Sequence, residues 1–131
     1  MAEPWTVENV AERFEEAADT LYRLPDRDIR RRLTYWPAVV RNIHEAYGWH
    51  DAEVRPAPPA PGAIDRMEET FGWLPWLEPE EVKLVWLRAC QVRWKPICHR
   101  FSVGRTTAWQ RWTAALTKVA ARLCASAVHT A

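Results

Sequence analysis

Residues 94–112 read WKPICHRFSVGRTTAWQRW, and the fold turns on how this stretch is divided. Pro96 suits the first turn of a helix over residues 95–101, where its missing N–H costs nothing. Ile97 and Phe101, four apart, give that helix an inward face, and Cys98 supplies the small side chain needed where two helices approach closely. Ser102, Val103 and Gly104 then form a turn, with Val103 expected to plug the core, and a second helix starts near Arg105. On it, Ala108, Trp112, Ala115, Leu116, Val119 and Leu123 fall on one narrow apolar stripe. Thr106, Gln110, Thr113 and Thr117 occupy the opposite face, with Arg111, Lys118 and Arg122 on one flank and Trp109 on the other. The stretch predicts a C-terminal helix-turn-helix.

Working outward, every other segment with a clear period is helical too. Val7, Val10, Phe14, Ala17 or Ala18, and Leu21 recur at helical spacing behind Thr6, a suitable N-cap. The other face of that helix carries Glu8, Glu12, Glu15, Glu16 and Asp19, read as an acidic solvated surface. Pro25 ends it, a short helix can begin at Asp26, and Pro37 opens another with Ala38, Val39, Ile43, Ala46 and Tyr47 on its apolar face. Residues 54–63, VRPAPPAPGA, hold four prolines between Pro56 and Pro61 and read as a semi-rigid extended linker. Beyond it, Ile64, Met67, Phe71 and Leu74 mark one amphipathic helix, and Pro79 starts another through Cys90 with Val82, Val85, Trp86 and Ala89 inward. No stretch alternates with period two. The expected fold is all-α, a small helical bundle divided into an acidic N-terminal helical region (1–53), a Pro-rich linker (54–62) and a helix-turn-helix region (63–131).

A length of 131 residues allows one domain or a small domain with an extension, and 48% hydrophobic with 27% charged residues describes a folded chain. The nine tryptophans are expected mostly in the core, since an indole buries much apolar area and needs one partner for its N–H. The net charge of +1 hides a division. Residues 1–81 hold nine Arg or Lys against seventeen Asp or Glu, whereas from Val82 onward there are nine basic residues and no acidic one. Such an asymmetry points to a polyanion as partner of the C-terminal part. Arg30, Arg31 and Arg32 could touch phosphate but read more simply as an exposed helix end. The three cysteines form no CxxC and, with no apolar leader or membrane span, are expected to be reduced thiols in a cytoplasmic protein. A zinc site from Cys90, Cys98, His99 and Cys124 fits no known spacing, and neither a metal nor a cofactor is expected.

A hydrogen-bonding helix face bordered by cations suits the major groove, where side-chain amides, hydroxyls and guanidinium groups read base edges while Arg and Lys hold phosphates. The N-terminal half of such a helix enters the groove. Arg105, Thr106, Trp109, Gln110 and Thr113 are the candidate base-reading residues, and Arg93, Lys95, Arg100, Arg111 and Lys118 the candidate backbone contacts. Gln110 is the best reader because its amide can bond adenine bidentately. Trp109 could pack on thymine methyl groups or sugars, or belong to the core.

The segment EPEEVKLVWLRACQVRWKPICHRFSVGRTTAWQRWTAAL resembles the helix-turn-helix of sigma-factor region four and of many phage regulators. Together with TYWPAVVRNIHEAYGW and AIDRMEETFGWLPWLEPEE, it resembles an uncharacterised family of alphaproteobacterial tailed phages and prophages. The resemblance covers most of the chain and implies a phage context and a DNA-binding fold. One departure stands out: such turns usually place Gly first and a capping Ser last, whereas Ser102 and Gly104 are reversed here. Ser102 then bears a steric cost if its φ is positive.

The expected function is sequence-specific binding of double-stranded DNA by a phage or prophage transcriptional regulator. Its acidic N-terminal helices could contact RNA polymerase or a second copy of the chain. Two alternatives use the same features: a DNA-packaging protein resembling a small terminase subunit, and a protein-interaction module whose basic helix docks on an acidic surface. An enzyme is not expected, because His44, His50, His99 and His129 are scattered with no nucleophile–base spacing and no glycine-rich phosphate loop is present. His50 with Asp51 and Glu53 could hold a metal only weakly. The target sequence, the direction of regulation and the oligomeric state are not legible at this level.

Overall fold

The computed structural model describes residues 4–24, 37–38, 40–42 and 57–130. The expected helix at Asp26, the Arg30–Arg32 run, His44, His50, Asp51, Glu53 and the start of the linker lie outside these residues. Those described form a small bundle of α-helices with no strand among them.

Helix α1, Val7–Arg23, starts where Thr6 caps it: the Thr6 Oγ1 accepts a hydrogen bond from the Asn9 N–H at 3.2 Å. Val10, Phe14, Ala17, Ala18 and Leu21 form the buried stripe expected from their spacing. Leu24 leaves the helix in an extended conformation, as a residue preceding proline must. Helix α2, Pro61–Phe71, begins inside the segment assigned to the linker. Pro61 occupies its first turn, where φ is already helical and no N–H is needed, so the prolines end the extended stretch and open the helix together.

After a 3₁₀ turn at Leu74–Trp76 comes α3, Pro79–Ala89, which buries Val82, Leu84, Val85, Trp86, Leu87 and Ala89. Apolar residues on most of its sides bury α3 against α1, α4 and α5. Helix α4, Trp94–Phe101, and helix α5, Arg105–Thr130, follow, joined by Ser102, Val103 and Gly104.

Both α3 and α4 end in the same device. Past α3, Gln91 takes φ 65°, its N–H donates to Arg88 O at 3.0 Å and the next N–H, of Val92, donates to Leu87 O at 3.1 Å. Past α4, Ser102 takes φ 54°, its N–H donates to His99 O, and the Val103 N–H donates to Cys98 O at 3.1 Å. This left-handed cap satisfies carbonyls that would otherwise be orphaned and reverses the chain sharply. It normally uses glycine; Ser102 and Gln91 bear the strain instead.

A single core joins the acidic and basic parts of the chain: Val10, Phe14 and Leu21 of α1 pack in one cluster with Met67, Trp86, Ile97, Leu116 and Val119. Val40 is fully buried in the same cluster. Helices α1 and α2 are also tied across their outer edge, Arg13 to Glu69 at 3.2 Å and Arg66 to Glu16 at 2.8 Å. Most described tryptophans serve this interior, with edge-on contacts between Trp5 and Trp73, Phe71 and Trp86, and Trp94 and Trp112. Trp86 is fully buried, and among the described residues its Nε1 has no hydrogen-bond partner. Val103, expected to plug the core, is half-buried and lines an apolar groove of about 160 Å³ with Leu84, Phe101 and Ala108. The three-residue turn is too short to carry its side chain further inward.

Candidate nucleic-acid interface

The candidate site is the α4–turn–α5 corner and what holds it. Ala108, Ala115, Leu116 and Val119 fix the buried side of α5, with Trp112 and Leu123 half-buried beside them. Ile97 fixes α4. Gly104 begins α5, its carbonyl accepting from the Ala108 N–H at 3.0 Å, and a side chain there would meet nothing within 4 Å. The glycine is therefore required neither by space nor by a positive φ.

Against this packing, Arg105, Thr106, Trp109 and Gln110 are exposed together on the first turns of α5. Trp109 is 51% exposed, the one exposed large hydrophobic among the described residues. Thr113 differs from its neighbours: it is half-buried, and its hydroxyl oxygen is shielded from solvent with no hydrogen-bond partner among the described residues. It shares a helix face with Ala120, seven residues on, which the core covers.

The cations divide likewise. Arg93, Lys95, Arg100 and Arg111 are exposed, and among the described residues no carboxylate pairs with them or with Arg105. Lys118 instead holds Glu81 of α3, its Nζ 2.7 Å from Glu81 Oε1. Glu81 also accepts the Glu78 N–H at 2.9 Å, capping α3. Burial works to raise the Glu81 pKa, but the bonds from Lys118 and Glu78 outweigh it and hold the carboxyl below its ordinary range. Lys118 thus fixes α5 against the start of α3.

Arg88 belongs to the site although the sequence pattern did not single it out. From α3 its guanidinium lies over the Trp94 ring, with Cζ 4.5 Å from the centroid, and Nη1 donates to Val92 O at 2.8 Å. Its Nε is buried without a partner. Burial and the nearby positive charge of Arg105 lower its pKa, against the influence of Glu15 on α1. Arg88 on α3 thus feels the charges of both Arg105 on α5 and Glu15 on α1. Only the tertiary fold brings them together, and no spacing in the sequence announces it.

Among the described residues no three of His, Cys, Asp and Glu gather as a ligand group. Cys90, Cys98 and Cys124 are free thiols, and burial pushes Cys90 up to about 12. No described helix is long and apolar enough to cross a membrane.

A family model matches residues 22–119, which run from the end of α1 through the cation-rich corner. The chain belongs to that family, described as Domain of unknown function (DUF6362). No curated protein and no solved structure matches the chain. The matched span includes every exposed residue of the candidate interface and both partners of the Glu81–Lys118 tie.

Proposed function

We propose that this DUF6362 protein is a sequence-specific double-stranded DNA-binding protein that uses α4 and α5 as a helix-turn-helix. Helix α5 is the recognition helix, and the resemblance to phage and prophage proteins makes regulation of phage transcription its expected setting. One observation carries the reading: the N-terminal turns of α5 expose Arg105, Thr106, Trp109 and Gln110 side by side, in a region with no acidic residue after Glu81. An ordinary solvated helix mixes both charges; a face offering hydrogen-bonding side chains, cations and one indole, with no acid, matches base edges flanked by phosphates.

Gln110, Thr106 and Arg105 are the base readers in this arrangement. Arg93, Lys95, Arg100 and Arg111, exposed and without a carboxylate partner among the described residues, hold the backbone. Lys118 is engaged with Glu81 and orients the helix. Thr113, with its hydroxyl buried, leaves the reading set.

Fluorescence anisotropy with duplex DNA at several salt concentrations tests the proposal. Four phosphate contacts, from Arg93, Lys95, Arg100 and Arg111, give a log–log salt slope of about −3.6. Gln110→Ala should reduce the preference among duplex sequences, whereas Lys95→Ala should weaken all of them alike. Absence of binding to any duplex at moderate salt would make the cationic corner a protein-docking surface instead.

A further inference from the structure

We infer that Trp109 reads the C5-methyl group of thymine, so that the chain selects duplexes with thymine where its indole lies. The inference rests on the DNA-binding reading above and assigns what the most conspicuous side chain of that site does.

Three observations converge. First, Trp109 is left out of the interior that employs the other described tryptophans. Trp5, Trp73, Trp86, Trp94 and Trp112 each meet another aromatic ring, and Trp76 lies under Arg122, with Cζ 4.9 Å from its centroid. Trp109 joins none of these contacts and remains half in water. Second, it stands one turn after Arg105 and beside Gln110, on the turns of a recognition helix that reach base edges. Third, every charged residue from Val82 onward is cationic, which suits a polyanion and opposes self-contact. In a twofold contact between copies the same patch meets itself, so Arg105, Arg111 and Arg100 would face their own counterparts.

The groove decides what an indole can recognise. Major-groove edges of G, A and C present donors and acceptors, and covering these with an apolar ring leaves them unpaired at a cost. Thymine alone adds a methyl group, which an indole can cover with gain. Trp109 therefore rewards thymine and penalises the other bases, while Gln110 beside it supplies the polar contact to a neighbouring adenine.

The test begins by enriching wild-type binders from a random-sequence duplex pool. The enriched duplex is then resynthesised with deoxyuridine in place of thymidine, which removes the methyl groups and keeps every hydrogen-bonding edge. Wild-type protein should lose about fourfold in affinity for each methyl its indole covers. Trp109→Ala should bind both duplexes equally, and its own enriched pool should lose the thymine preference. Since Trp109 lies outside the core, the variant should melt like the wild type. Equal wild-type affinity for the two duplexes, with salt-dependent binding intact, overturns the role of Trp109 and leaves DNA binding standing. Failure to bind any duplex overturns both. A wild-type dimer in solution that Trp109→Ala dissociates also overturns the inference, since the indole then belongs to a protein contact.

Discussion

Lys118 of α5 reaches Glu81 of α3 across 37 positions of sequence, Nζ to Oε1 at 2.7 Å, and so joins the middle of α5 to the first turn of α3. Because the Glu81 carboxyl sits below its ordinary range in the folded chain, folding favours its ionised form. The tie contributes in full above the unfolded value, about 4.3, and is lost as pH falls through the lower folded one. Glu81→Gln should therefore destabilise by about 1 kcal/mol at neutral pH, allowing for solvent around Lys118, and flatten the acid limb of the stability profile. Denaturant melts from pH 3 to 7 measure this; parallel wild-type and variant profiles would remove the tie from the account.

Ser102 holds φ 54° to close the α4 cap, a conformation that burdens every residue with a Cβ. Ser102→Gly keeps both cap hydrogen bonds, which are backbone to backbone. It should stabilise the chain by about 1 kcal/mol. Urea unfolding gives the value, and a destabilised variant would show that the Ser102 side chain has a role of its own.

Thr113→Val exchanges a buried, unpartnered hydroxyl for a methyl of similar size. Stability should rise by about 1 kcal/mol, and DNA affinity should stay within twofold of wild type. A large loss of affinity without a change in melting temperature would return Thr113 to the base-reading face.

Cys90 is the thiol that should resist labelling. With its pKa pushed up to about 12 by burial, it carries almost no thiolate at pH 8. Titration with a disulfide reagent, followed by mass mapping, should leave Cys90 unmodified in the native protein and modify it after denaturation. Rapid native labelling at Cys90 would contradict its burial.

Much of the bundle is legible because helical spacing marks it without help from partners. The α1 stripe from Val10 to Leu21 and the α5 stripe from Ala108 to Val119 are buried as their periods require. The spacing of Ile97 and Phe101, with Pro96 early, likewise locates α4 to within one residue. What escapes is whatever depends on distant chain. In TTAWQRWT the stripe puts Thr113 on the opposite face and Trp109 on a flank, and only the packing around α5 covers the Thr113 hydroxyl while leaving Trp109 open. Lys118 looks like Arg111 in sequence, yet Glu81 engages one and leaves the other free. The start of α2 at Pro61 was hidden because a proline-rich linker and a proline-started helix share the same residue.

Phe14 and Leu116 share one core although about a hundred residues separate them, a length that takes a ribosome about 5–20 s to synthesise. For that interval α1 exists without the helices that cover Val10, Phe14 and Leu21. Glu8, Glu12, Glu15 and Asp19, all exposed in the finished fold, form a charged exterior on the waiting segment. Those like charges disfavour close contact between copies of a segment whose apolar stripe still waits for α5.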